Sequence, residues 1–239
     1  MFKKCVLAKT NDAQCDGLDS NMLRSIIDDL SFSRLFETFF FVTHYEHTTC
    51  LDIVQSILSP GPRTPDPGPQ RAIFFDRDGV INARIVGGYV RHWSEFELLP
   101  DVIETLREVR RRGYLAIIVT NQRGVGLSIM TEAELNAVHD ELQRAMEREA
   151  GTSFDDIIFC TDLDNVLGRR KPSPTMLFEA REKWNIDLAN SWMIGDSMSD
   201  IEAGQRAGTK TAYLVTQHSE EIPKATKIIH HLRDILAFL

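Results

Sequence analysis

The chain has 239 residues, 43% of them apolar and 26% charged, a balance that excludes a disordered or fibrous polymer and allows one full domain with an appendage. No run approaches the ~18 apolar residues of a membrane span; the densest, Leu35 to Val42, is eight long and carries Glu37. With 27 Lys+Arg against 35 Asp+Glu the net charge is −8, which argues against nucleic acid as a partner but not against a small anion met by a few converging cations. Only Val6, Leu7 and Ala8 separate the first lysines from Lys9, too short an apolar core for a signal peptide, so a cytoplasmic chain with no membrane association is expected. The cysteines Cys5, Cys15, Cys50 and Cys160 form no CxxC pair and read as reduced thiols.

Residues 1–58 carry three helical apolar stripes. Met22, Leu23, Ile26, Ile27 and Leu30 form the first, with Ser20 as its N-cap. Phe32, Leu35, Phe36, Phe39 and Phe40 form the second, and Leu51, Val54, Ile57 and Leu58 the third. They predict a short helical N-terminal extension of unassigned role, marginal as an independent fold. His44, His47 and Cys50 have a spacing that can hold a metal, but with no fourth ligand they read as helix surface. Residues 59–70 hold five prolines in twelve positions, and proline fixes φ and removes a backbone donor, so this stretch reads as an extended linker.

From residue 71 to 239 apolar runs alternate with amphipathic segments. The predicted strands are Ala72–Phe75, Leu115–Val119, Ile157–Cys160, Trp192–Ile194 and Ala212–Val215. Helices are predicted from Pro100-Asp101 to Arg112 with Gly113 at C′, from a Thr131/Glu134 capping box to Ala150, from Pro174 to Trp184, and from Asp200 to Ala207 closed by Gly208. Near-continuous apolar strands between helices predict an α/β, three-layer, Rossmann-like core with a mainly parallel sheet.

Polar clusters follow four of these strands, at the edge where open α/β sheets bind ligands. They are Asp76-Arg77-Asp78-Gly79-Val80-Ile81-Asn82, Thr120-Asn121-Gln122-Arg123-Gly124-Val125-Gly126, Arg169-Arg170-Lys171-Pro172 and Gly195-Asp196-Ser197-Met198-Ser199-Asp200. Two carboxylates about 4 Å apart repel by roughly 4 kcal/mol at an effective dielectric of 20, so the gathering of Asp76, Asp78 and Asp196 needs a cation. An all-oxygen set suits Mg²⁺. Lys171 adds positive charge, and the Thr120 hydroxyl and the amides after it suit phosphate. Together these parts describe phosphoryl transfer to an Asp nucleophile.

The four segments resemble, in order and in position, the four motifs of the haloacid dehalogenase (HAD) phosphatase superfamily, over residues 71–215, about 60% of the chain. DRDGVIN, GYV, FELLP, TNQRGVG, TEAEL, RRKPSP and GDSMSDIEAG are similar, more narrowly, to the D-glycero-D-manno-heptose 1,7-bisphosphate phosphatases, neighbours of the histidinol-phosphate phosphatases. Two departures stand out. The zinc loop common in that group is replaced by CTDLDNVLGRRKP with Cys160 alone, so zinc is not expected, and Gly126-Leu127-Ser128 lacks the basic residue often found there. The resemblance implies Asp76 as nucleophile and Asp78 as general acid and then base, with Thr120 and Asn121 on the phosphate and Lys171 as charge partner. It implies Mg²⁺ on the Asp76 and Asp196 side chains and the Asp78 carbonyl. Asp200 is read as a partner of Lys171 or of metal-bound water behind these, a role compatible with capping the following helix. Arg170, Arg123 and Asn82 are the candidate substrate contacts.

The intervals from Asp78 to Thr120 (42 residues) and from Thr120 to Lys171 (51 residues) hold only a loop, a helix and a strand each, so a capless site is expected. The expected activity is hydrolysis of a small phosphorylated sugar, most specifically a heptose bisphosphate, by a monomer or weak homodimer. The alternatives are histidinol phosphate or another small phosphomonoester as substrate, and an idle HAD scaffold whose extension binds a partner.

Overall fold

A computed structural model describes residues 68–164, 168–219 and 222–239. The chain divides into two units, Met1–Asp66 and Pro67–Leu239. The three helical stripes, the His44/His47/Cys50 group and most of the Pro-rich stretch lie outside the described residues.

The strands are β1 (Ala72–Phe75), β2 (Leu115–Asn121), β3 (Asp156–Cys160), β4 (Trp192–Gly195), β5 (Lys210–Leu214) and β6 (Lys227–Ile229). They form one parallel sheet in the order β3-β2-β1-β4-β5-β6. Helices α1 (Val102–Arg111), α2 (Arg123–Gly126), α3 (Glu132–Ala150), α4 (Thr175–Trp184) and α5 (Met198–Ala207) join them.

The period-2 alternation of the strands distributes their side chains between two apolar layers. Ile73 and Phe75 of β1, Ala116 and Ile118 of β2, and Trp192 and Ile194 of β4 pack with Leu106 and Val109 of α1 and Val138, Leu142 and Met146 of α3. Ala72, Phe74, Ile117, Val119 and Met193 point the other way, onto Met176, Leu177 and Ala180 of α4 and Ala203 and Ala207 of α5. Strands buried on both faces explain the unbroken apolar runs. Each fully buried side chain of this size contributes roughly 1.5–3 kcal/mol.

The helix ends follow local chemistry. Thr131 caps α3 through its side chain, with Glu134 answering in a capping box, and Gly151 closes it in the left-handed region at φ 69°. The last helix begins earlier than expected: Ser197 is the N-cap of α5, and Asp200 is its third residue, not its cap. Besides the 3-10 turns, Leu232–Phe238 among them, two elements escape the sequence reading. Strand β6 is three residues long with only Ile229 buried, and α2 is a single turn containing two glycines.

The strand order matters for function. The chain starts in the middle of the sheet, runs outward through β2 and β3, and returns to place β4 beside β1 on the other side. The β1/β4 boundary is therefore a topological switch point, where a crevice opens beyond the strand ends. Phe75 pairs with Ile194, and the Asp76 amide donates to the Ile194 carbonyl at 2.9 Å. The residues that follow, Asp76 on one strand and Gly195-Asp196 on the other, leave the sheet side by side. Between Asp78 and Thr120 the chain holds only a short 3-10 turn (Trp93–Glu95), α1 and most of β2, with no inserted domain.

Candidate active site

Lys171 is the hub. Its side chain is 1% exposed, and its three N–H donors have three partners: Asp76 Oδ1 at 2.8 Å, Asp200 Oδ1 at 2.6 Å and the Val119 carbonyl at 2.7 Å. Burial opposes its charge, but the carboxylates of Asp200 and Asp76 outweigh that and hold its pKa above the ordinary lysine value. The backbone of Lys171 is fixed too, because the Asn121 side chain donates to its carbonyl at 3.2 Å and accepts from its amide at 3.0 Å. Asn121 thus pairs with the main chain as a neighbouring strand would.

Asp76, Asp196 and Asp200 are all buried, and each offers an oxygen such that the three atoms lie within 4.8 Å of one another. Asp76 is pushed up to about 6, first by burial and then by the charge of Asp200, against the opposing pull of Lys171. Asp196 is pushed up to about 7 by burial and by Asp76, with Arg84 pulling the other way. Carboxyls driven toward neutrality mark a dry pocket in which burial and mutual repulsion outweigh the pull of its cations. The donor set is entirely oxygen and fits a hard divalent ion such as Mg²⁺.

Asp200 serves two purposes at once. Its Oδ2 accepts from the Ser197 amide at 3.1 Å and the Ser197 hydroxyl at 2.6 Å, completing the N-terminal cap of α5, while Oδ1 holds Lys171. Expected behind the other carboxylates, it stands among them.

Asp78 behaves differently. Arg77, itself fully buried, donates to both of its oxygens at 2.9 Å. Asn82 donates to Oδ1 at 3.0 Å and Gln122 to Oδ2 at 2.8 Å. Burial alone would raise this carboxyl, but the Arg77 charge and these hydrogen bonds hold it below the usual range, and therefore ionised. The Asp78 side chain is not part of the three-carboxylate group; its carbonyl faces Arg84 at 3.4 Å. Behind Arg77, Nη1 lies 3.1 Å from His139 Nε2. A guanidinium has no acceptor, so Nε2 accepts and the imidazole proton sits on Nδ1.

Two glycines permit this crowding. Gly79 has φ 100°, and a Cβ there would lie 2.0 Å from Asp196 Oδ2; a Cβ on Gly195 would lie 2.1 Å from the Asp200 Cβ. The turn after β1 can carry Asp78 back over the site only because no side chain stands in the way.

A cavity of about 330 Å³ opens on this group, with Asp76, Asp78, Thr120, Arg123, Arg170 and Lys171 among its walls. Thr120 Oγ1 accepts from Gln122 at 3.0 Å, which leaves its O–H able to donate. Arg170 reaches the Asp162 carbonyl at 3.3 Å from the rim. One expectation needs correction. Asn82 is fully buried and absent from the cavity wall; its amide is directed at Asp78 and the Ala83 carbonyl, so it shapes the site from behind. The residues that sequence reasoning left without a role are Arg77, Arg84, Gln122 and His139. Gln122 lies inside the Thr120–Gly126 segment, but His139 sits 62 residues from Arg77 on a helix, with no local signal.

The family description of the haloacid dehalogenase-like hydrolases matches residues 77–208. A D-glycero-alpha-D-manno-heptose-1,7-bisphosphate 7-phosphatase of Burkholderia mallei is 35% identical over 179 residues, covering 71% of this chain and 93% of that relative. A D-glycero-beta-D-manno-heptose-1,7-bisphosphate 7-phosphatase of Escherichia coli K12 is 32% identical over 176 residues, covering 70% and 91%. The crystal structure of the D,D-heptose 1,7-bisphosphate phosphatase of B. bronchiseptica, complexed with magnesium and phosphate, superposes with a TM-score of 0.65 at 26% identity, covering 71% of this chain and all of that one. By these matches, the chain belongs to the haloacid dehalogenase-like hydrolases and, within them, is similar to the heptose-1,7-bisphosphate phosphatases.

Proposed function

We propose that this chain is a Mg²⁺-dependent phosphomonoesterase that removes the 7-phosphate of a D-glycero-D-manno-heptose 1,7-bisphosphate through a phosphoaspartate on Asp76. The observation that carries it is the buried Lys171 ammonium held between Asp76 and Asp200 at the sheet's switch point, with Asp196 alongside. Asp76, Asp196 and the Asp78 carbonyl, with Asp200 close by, would hold Mg²⁺, which supplies charge neutralisation for the phosphate oxygens.

Asp76 attacks phosphorus as the bond from phosphorus to the sugar oxygen breaks. Asp78, once off the Arg77 fork and protonated from solvent, gives that proton to the leaving oxygen. A water then attacks the phosphoaspartate and loses its proton to Asp78, and the P–O bond to Asp76 breaks, releasing inorganic phosphate and restoring both residues. The resting geometry suits the second half, since Asp78 is held ionised. For the first half its side chain has to leave the Arg77 fork. Thr120 offers its hydroxyl to the phosphate, and Lys171 offsets charge at Asp76 as it is phosphorylated. Arg170 and Arg123, on the cavity wall, are the proposed contacts for the rest of the substrate. The enzyme is read as a cytoplasmic monomer or weak homodimer; among the described residues no helix is long and apolar enough to cross a membrane.

Phosphate release is measured from both anomers of the heptose bisphosphate and from histidinol phosphate, in Mg²⁺ and in EDTA. Faster turnover of histidinol phosphate overturns the sugar assignment, and no hydrolysis of any phosphomonoester favours the idle scaffold. Asp76→Asn is expected to abolish turnover with the fold retained; residual wild-type activity refutes the assigned nucleophile.

A further inference from the structure

Arg84 belongs to no expected motif, yet it stands in the middle of the metal-binding atoms. Its Nη2 lies 2.7 Å from Asp196 Oδ1 and 3.4 Å from the Asp78 carbonyl oxygen. One nitrogen thus faces the Asp78 carbonyl and the carboxylate of Asp196, both assigned above to the metal. Mg²⁺ binds oxygen at about 2.0–2.1 Å in near-octahedral geometry and tolerates little crowding. A guanidinium held against both groups competes with a metal ion for their oxygens.

The two members of this ion pair are unequal. The Asp196 side chain is 2% exposed, held under the Gly79 turn, whereas the Arg84 side chain is 39% exposed. Arg84 lies on the loop that carries Gly87 and Gly88 and has no other polar contact among the described residues. If one partner moves, it is the arginine. Two cavities meet at this side chain. Arg84 lines the catalytic cavity with Asp76 and Lys171, and it also lines a neighbouring cavity of about 370 Å³ with Asp196, Pro100 and His231. Swinging off Asp196, it remains at the mouth of the catalytic cavity, where its planar donors suit a phosphate or sugar oxygen.

The geometry points to Arg84 as an internal counter-ion of the metal site: it neutralises Asp196 before Mg²⁺ arrives, is displaced by Mg²⁺, and is thereby released to bind the anionic substrate. This deepens the phosphatase reading and rests on it. It makes Arg84 a substrate contact whose availability is coupled to metal occupancy, so that ordered addition, metal before sugar phosphate, is built into one side chain.

The test is Mg²⁺ binding to the full chain without substrate, by isothermal titration, for wild type, Arg84→Ala and Arg84→Lys. Removing the competing cation is expected to tighten Mg²⁺ binding about fivefold in Arg84→Ala, the size set by a partly exposed ion pair, with Arg84→Lys within twofold of wild type. In side-chain ¹⁵N spectra the Arg84 Nε–H resonance, identified by its absence from Arg84→Ala, is expected to shift on adding Mg²⁺ alone. KM for the heptose bisphosphate is expected to rise in Arg84→Ala by a larger factor than kcat falls. Equal or weaker Mg²⁺ affinity in Arg84→Ala overturns the counter-ion role, and an unmoved KM overturns the release to substrate. If neither wild type nor variant binds Mg²⁺, the metal-dependent reading falls, and this inference with it.

Discussion

Replacing Lys171 by methionine removes one charge from the centre of the site at nearly constant volume. The ammonium has three partners at 2.6–2.8 Å in a position closed to solvent. Without it, Asp76, Asp196 and Asp200 remain within 4.8 Å of one another, with Arg84 the one remaining cation paired to them among the described residues. Breaking a buried ion pair by deleting one partner costs about 3–5 kcal/mol, because the other charge stays buried. The expected loss in unfolding free energy, from urea titration at pH 7.5 in EDTA, is therefore about 3–5 kcal/mol. Two conditions are expected to shrink it. Mg²⁺ at a hundred times its dissociation constant adds about 2.7 kcal/mol to either folded protein, and it narrows the difference as far as it binds the variant more tightly, because it supplies charge where Lys171 did. Lower pH acts through Asp76 and Asp196, whose folded pKa values of about 6 and about 7 already exceed the ordinary carboxylate value of 3.8. A carboxyl raised on folding contributes stability that is full below its unfolded pKa and lost as pH rises through its folded one. Removing Lys171 moves these values higher still, so the variant gains stability relative to wild type as pH falls from 7.5 to 5.5. A deficit below about 1 kcal/mol, indifferent to both Mg²⁺ and pH, would refute the shared low-dielectric pocket.

Gly79→Ala combines an unfavourable φ of 100° with a Cβ placed 2.0 Å from Asp196 Oδ2. A loss of about 1–3 kcal/mol in chemical denaturation is expected from the backbone alone, with weaker Mg²⁺ binding as Asp196 is pushed aside; Mg²⁺ affinity equal to wild type would contradict that contact. His139 is held neutral, with its pKa lowered to about 3 by burial first and then by the Arg77 charge, Asp78 opposing, and with the Phe159 ring packed against it. Its folded value lies below its unfolded one, so its contribution is full above about pH 6.5 and declines as pH falls toward 3, with a limiting slope of ~1.4 kcal/mol per pH unit. His139→Gln keeps an acceptor for Arg77 but does not titrate. The stability advantage of wild type over this variant is expected to narrow by roughly 2 kcal/mol between pH 7.5 and 5; a constant gap would place the titration elsewhere.

What was legible in the sequence, and what was not, divides along the range of the interactions. Strands β1, β2 and β4 announce themselves because burial on both faces demands unbroken apolar runs, and α3 because its capping box and apolar face are written within a few neighbouring residues. The acidic residues after β1 and β4 follow from the same logic, since a parallel sheet aligns its strand ends. Strand β6 does not, because an edge strand with a single buried residue leaves too little hydrophobic signal. Side-chain direction was hidden as well. Asp78 and Asn82 stand in the same motif as Asp76, yet Asp78 turns onto the Arg77 fork and Asn82 is buried beneath it. Their orientation depends on His139 and Gln122, contributed by other elements. Arg84 is the sharpest case: nothing in Ala83-Arg84-Ile85 distinguishes it from a solvated loop charge, and only the return of the chain at β4, 112 residues later, gives it Asp196 as a partner. A motif therefore locates the reactive carboxylates, while the cations that set their protonation and metal affinity are supplied by topology. That is why substitutions at Arg84 and His139, outside every motif, are expected to alter Mg²⁺ affinity and the pH dependence of stability in this chain.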